Sequence, residues 1–98
     1  MTKLQNIFFN QGILPDTFQK SKNPSSVSWL HIDLNASIPT LKTLEFFYDK
    51  ITYGGVIIFD DYAWHGMEDT KKVVDSFFLD KKGILLPLPT GQAIFYKV

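Results

Sequence analysis

The chain has no cysteine, no excess charge of either sign and no apolar run long enough to cross a bilayer. Without cysteine there is no disulfide framework and no thiolate metal site, a composition that fits a cytoplasmic protein. Ten basic residues balance ten acidic ones and are scattered rather than gathered in a stripe, which argues against a nucleic-acid partner. No segment approaches the roughly 20 apolar residues that span a membrane, and the stretch after Met1-Thr2-Lys3-Leu4-Gln5-Asn6 is too short for a signal peptide, so no membrane partner is expected. Repeats and low-complexity tracts are also missing. What is left, 98 residues of ordinary apolar content, reads as one soluble domain over 1–98 with a small core.

The most informative feature that is present is Gly54-Gly55-Val56-Ile57-Ile58-Phe59-Asp60-Asp61-Tyr62. A short apolar run after a glycine pair reads as a buried parallel strand, and two acids at the end of such a strand mark a candidate site. Upstream, 4–10 reads as a short strand ending at Gln11-Gly12, and Pro15-Asp16-Thr17 opens at most a short helix. The stretch 27–34 is a second strand. Its alternation puts Ser28, Leu30, Ile32 and Leu34 on one face and Val27, Trp29, His31 and Asp33 on the other.

Ser37 and Pro39 signal a helix start, and Leu41, Leu44, Phe47, Tyr48 and Ile51 recur at helical spacing until Gly54-Gly55 interrupts them. A strand, helix, strand unit results. A further helix is expected from about 67 to 82, with Val73, Val74, Phe77 and Phe78 inward, acids in its first turn, lysines in its last and Gly83 as its stop. Thr90-Gly91 separates the strand-like runs 84–89 and 92–98 too closely for a crossover helix, so they form an antiparallel hairpin. Pro87 and Pro89 assign the first of these to a sheet edge and leave the last strand inside.

Together, His31-Ile32-Asp33-Leu34-Asn35, Pro39-Thr40-Leu41, Leu44-Glu45-Phe46-Phe47-Tyr48, the Gly54–Tyr62 run and Gly91-Gln92-Ala93 resemble the C-terminal half of class I S-adenosylmethionine-dependent methyltransferases. Among these the chain is most similar to the macrocin O-methyltransferase-like family of metal-dependent sugar and small-molecule O-methyltransferases. Gly12-Ile13-Leu14-Pro15-Asp16-Thr17-Phe18 also resembles that family's segment after its third strand. The resemblance implies a partial Rossmann-like α/β sheet with flanking helices and a C-terminal antiparallel hairpin.

It further implies that Asp33, Asp60 and Asp61 hold a metal and that Asp33 is a candidate general base. Carboxylates at the C-terminal ends of adjacent parallel strands converge where doubly wound sheets place ligands, and oxygen-only ligation favours Mg²⁺ over Zn²⁺. A substrate hydroxyl bound there would attack the methyl of S-adenosylmethionine. Tyr62, Trp64 and His65, just beyond the acids, are candidates to face substrate, although Tyr62 and Trp64 could equally cover the core and His65 could be a solvated loop residue. His31 reads as a packed or hydrogen-bonded strand histidine.

Three departures from the family pattern stand out. Asn35 occupies the position of a second acid, and Ser37 replaces an aromatic. A larger one is the lack of a glycine-rich turn from strand to helix and of an acid on a second strand for the ribose. The chain therefore aligns from near the family's third strand, without the cofactor-binding strands, and is expected to be a fragment, a truncated form or half of an assembly. The exposed edge of the Asp33 strand would then pair with a complementing chain or a second copy.

Three other readings compete. Asp60-Asp61 alone would also fit the capping of a turn. A phospho-receiver domain has an acidic pair after a strand, but needs a phosphate-accepting Asp on a later strand, and Asp75 and Asp80 fall in the expected helix. The alternative from a different class is a non-catalytic methyltransferase remnant or interaction module that completes its sheet with a partner chain.

Overall fold

The structure, a computed structural model, describes residues 11–20, 23–63 and 66–98. The strand expected over 4–10 and the residues Trp64 and His65 lie outside the described residues. In chain order the elements are α1 (Thr17–Lys20), β1 (Val27–Ile32), α2 (Ser37–Phe47) continued by a 3₁₀ turn (Tyr48–Lys50), β2 (Ile51–Phe59), α3 (Glu68–Phe78), β3 (Gly83–Pro87) and β4 (Ala93–Lys97). The strands form one four-stranded sheet in the order β1-β2-β4-β3. β1 and β2 are parallel, and β4 runs antiparallel to both β2 and β3. The expected α/β architecture with a terminal hairpin is thus observed, with the proline-bearing strand at one edge and β4 inside. β1 forms the other edge among the described residues.

Local chemistry moves several boundaries. β2 begins at Ile51, so Ile51 is a strand residue rather than the last apolar residue of the helix, and the glycine pair lies within the strand. The register explains why glycine is needed. Val27 pairs with Ile51 and Trp29 with Val56, so one residue of β1 faces four of β2, and the extra backbone bulges out. Gly54 takes φ of 79° there, and a Cβ on Gly55 would lie 2.7 Å from both the Thr52 carbonyl oxygen and the Ile51 side chain.

Helix α2 starts one residue beyond its cap, Ala36, which offers no side-chain hydrogen bond, and Ser37 is its first helical residue. Thr40 and Thr43 are buried where the apolar stripe alone points to Leu41. They tolerate burial because Thr40 Oγ1 donates to the Ala36 carbonyl at 2.7 Å and Thr43 Oγ1 to the Pro39 carbonyl at 2.8 Å. Helix α3 ends at Phe78, five residues before the expected stop at Gly83, because the chain turns through a Lys81 N–H bond to the Phe78 carbonyl and enters β3. Gly83 is the first residue of that strand, where a Cβ would run into the Phe95 ring and the Tyr96 carbonyl oxygen.

The core lies between α2, α3 and one face of the sheet. Leu44, Tyr48, Val74 and Phe78 from the helical segments meet Ile32, Ile57, Phe59, Ala93 and Phe95 from the strands, and the Phe78 and Phe95 rings stack with centroids 3.9 Å apart. Phe18 of α1 stacks on Phe46 of α2. The pairing register places two cross-strand rows on the opposite face: Trp29, Val56, Tyr96 and Ile84, then His31, Ile58, Ile94 and Leu86. α2 and α3 do not cover this face, and Trp29 keeps 64 % of its surface exposed. That is why Val56 and Ile58 are only half-buried although the run reads as a fully buried strand.

Candidate metal centre

Parallel pairing brings the acids together. Ile32 and Phe59 are partners at the ends of β1 and β2, and the Asp60 N–H donates to the Ile32 carbonyl at 3.0 Å, adding one rung beyond the strands. Asp33 and Asp60 therefore leave adjacent strand ends in the same direction, with Asp61 next in the chain. One carboxylate oxygen from each of Asp33, Asp60 and Asp61 lies within 4.8 Å of the others. A cation with oxygen ligands at about 2.1–2.6 Å spans about 4.2–5.2 Å between opposite ligands, so the cluster has the right size for a hard divalent ion. The donor set is all oxygen, which fits Mg²⁺ or a similar cation.

The three carboxylates differ in how they are held. Asp60 Oδ1 accepts a 2.9 Å hydrogen bond from Gln92 Nε2 and lies 3.7 Å from His31 Nε2. Asp33 is exposed and, among the described residues, accepts no side-chain hydrogen bond. Burial pushes the Asp61 carboxyl above its ordinary range, and the neighbouring charges of Asp60 and Asp33 push it the same way. A cation at the centre would relieve that repulsion.

The turn after Asp61 is fixed from two sides. Tyr62 and Ala63 both donate backbone N–H groups to the Gly91 carbonyl, at 3.0 and 2.9 Å, which ties the acidic loop to the β3–β4 turn. Tyr62 itself is not placed to face substrate. It is 2 % exposed, sits in the core, and its hydroxyl donates to Asp75 Oδ1, while Lys71 Nζ holds Asp75 Oδ2 at 2.7 Å. Burial, then Asp75, raises its phenol above the usual range. Of the two readings open for Tyr62, the structure matches the one in which it covers the core, and its hydroxyl anchors the acidic loop to α3. Of His31, expected to be packed or hydrogen-bonded, the side chain is half-exposed, with Nε2 3.7 Å from Asp60 Oδ1.

Neither Gln92 nor the Tyr62–Asp75 pair stands out in the sequence as a functional group. Gln92 was within reach of the hairpin reading, because Phe59 pairs with Ala93 and the next antiparallel step sets Asp60 opposite Gln92. The Tyr62–Asp75 contact joins a loop to a helix and has no local signal.

Comparison with known proteins adds a family. The sequence profile described as Macrocin-O-methyltransferase (TylF) matches residues 3–96. No curated protein matches. Nine chains of solved structures do, among them the one described as "Structure of the O-methyltransferase NovP". It superposes with a TM-score of 0.67 at 24 % identity, covering 76 % of this chain and 31 % of its own length. The chain thus spans about a third of that relative, and the likeness establishes a shared fold.

Proposed function

The chain belongs to the Macrocin-O-methyltransferase (TylF) family, and from that premise we propose that it carries the metal- and hydroxyl-binding part of a Mg²⁺-dependent, S-adenosylmethionine-dependent O-methyltransferase acting on a sugar or other small molecule. The observation that supports this most is the convergence of Asp33, Asp60 and Asp61 within 4.8 Å at two adjacent strand ends. When bound, a divalent cation there would lower the pKa of a substrate hydroxyl, and S-adenosylmethionine would supply the activated methyl group.

The chain's own residues divide the remaining work. Asp60 and Asp61, on the loop tied to Gly91, serve as ligands. Asp33 is exposed and free of side-chain donors among the described residues, so it can bind the cation and accept the hydroxyl proton. Asn35 is also exposed, two residues on, and offers an amide to substrate rather than a further charge.

The cofactor-binding part of the fold would come from elsewhere in the same polypeptide or from a second one. It would seat on the uncovered sheet face and the β1 edge, since sheets of this type are covered on both faces. The same face supports a second reading, a non-catalytic module that completes its sheet with a partner. Release of S-adenosylhomocysteine separates the two, measured over a panel of sugar and phenolic hydroxyl compounds in the assembly that carries both parts. The enzyme reading expects release that requires Mg²⁺ and falls at least 100-fold in Asp33→Asn. Full activity in that variant or in EDTA would remove the proposed roles. Absence of any S-adenosylmethionine binding by the assembly favours the interaction module.

A further inference from the structure

Asp60 is gripped by the far end of the chain. Gln92 Nε2 donates to Asp60 Oδ1 at 2.9 Å, and Thr90 Oγ1 donates to Gln92 Oε1 at 3.1 Å. These two bonds define the amide's orientation, because a carboxylate only accepts and so requires the NH₂ side, leaving the carbonyl oxygen for the threonine hydroxyl. Behind them the turn is closed by the Gly91 N–H on the Leu88 carbonyl at 3.1 Å and the Leu88 N–H on the Gln92 carbonyl at 2.8 Å. The Gly91 carbonyl of this turn also receives Tyr62 and Ala63, so one turn holds the Asp60 side chain and the backbone that follows Asp61.

From this arrangement we infer that Gln92 is a positioning residue for the metal centre, fixing the Asp60 carboxylate through Oδ1 so that Oδ2 is the oxygen available to a cation. The side chains that meet Asp60 at hydrogen-bond or ion-pair distance, Gln92 and His31, both lie on the Oδ1 side, and Oδ2 has no hydrogen bond among the described residues. A carboxylate fixed in this way loses little rotational freedom when it ligates, and outer-shell partners of this kind typically change metal affinity by about 10–100-fold. The inference rests on the metal reading proposed above. It adds that the C-terminal hairpin, remote in sequence from all three acids, tunes their affinity.

Isothermal titration with Mn²⁺ tests it on the full chain. Gln92→Leu, which keeps the bulk and removes the donor, should weaken Mn²⁺ binding at least tenfold. Its metal-free melting temperature should stay within about 2 °C of the wild type, since the residue sits at a half-exposed rim. In an Asp60→Asn background the same substitution should change affinity less than twofold, a coupling that a merely structural role would not produce. A second measurement does not depend on the variant folding: the Gln92 side-chain amide resonances of the wild type should shift with Mg²⁺ at the same midpoint as binding. Wild-type binding with an unaltered Gln92→Leu affinity, or unmoved Gln92 amide resonances, overturns the inference alone. No Mn²⁺ binding by the wild type overturns the metal reading and the inference together.

Discussion

Replacing Asp61 with asparagine should stabilise the protein without metal and destabilise it, relative to wild type, with metal. The ligating oxygens of Asp33, Asp60 and Asp61 lie within 4.8 Å of one another, and no lysine approaches them within ion-pair distance among the described residues. Two unit charges at about 5 Å in a water-like dielectric repel by about 0.8 kcal/mol, and a Debye length of about 8 Å removes nearly half of that. Asp61 takes part in two such pairs, so its neutralisation should return about 1 kcal/mol, or about 4–8 °C in Tm for a domain of this size. Saturating Mg²⁺ reverses the order: at a hundred times Kd it stabilises the wild type by about 2.7 kcal/mol, and the variant with one ligand weakened gains much less.

The sign with pH follows from the raised Asp61 carboxyl. An acid whose folded pKa exceeds its unfolded value of 3.8 costs stability that develops as pH rises from that unfolded value and is complete above the folded one. The gap between Asp61→Asn and wild type in EDTA should therefore be widest near pH 8 and close as pH falls below Asp61's folded pKa. Differential scanning calorimetry at pH 8, in EDTA and in Mg²⁺, reads both effects. An Asp61→Asn protein that melts below wild type in EDTA, or that gains as much from Mg²⁺, would refute the electrostatic reasoning.

Two further substitutions test the scaffold around the centre. Tyr62→Phe removes the bond to Asp75 that anchors the acidic loop to α3 and should lower stability by about 1 kcal/mol, seen as a lower urea midpoint with an unchanged m-value. An unchanged midpoint would show that the bond contributes nothing. Gly83→Ala places a methyl against the Phe95 ring and the Tyr96 carbonyl oxygen, and should cost about 2 kcal/mol or roughly 10 °C in Tm. A melt within a degree or two of wild type would mean that β3 shifts freely against β4.

Much of this was legible in the sequence because the signals were local. Alternation put Ile32 and Trp29 on opposite faces of β1, two prolines assigned β3 to an edge, and the acids ended the strand that the apolar run defined. The convergence of Asp33 with Asp60 needed only two parallel strands ending at the same level. What was not legible depended on contacts between distant segments. Ile51 changed element because a bulge at Gly54-Gly55 lets β2 start early, and the buried Thr40 and Thr43 were hidden by a polarity that their own hydrogen bonds satisfy. The place of Tyr62 beside the acids left it open between substrate and core, and only its hydroxyl bond to α3 decides for the core.

The claim that one cation site is built from Asp33, Asp60 and Asp61 is tested most directly by locating the ion. Substoichiometric Mn²⁺ added to ¹⁵N-labelled protein broadens amide resonances steeply with proximity to the bound ion. Broadening should centre on residues 32–35, 59–62 and 91–92, be displaced by excess Mg²⁺, and spare the Lys50 and Val98 end of the sheet. Broadening centred on the exposed acids Glu68 and Asp69 or Asp80, or none at all, would contradict it.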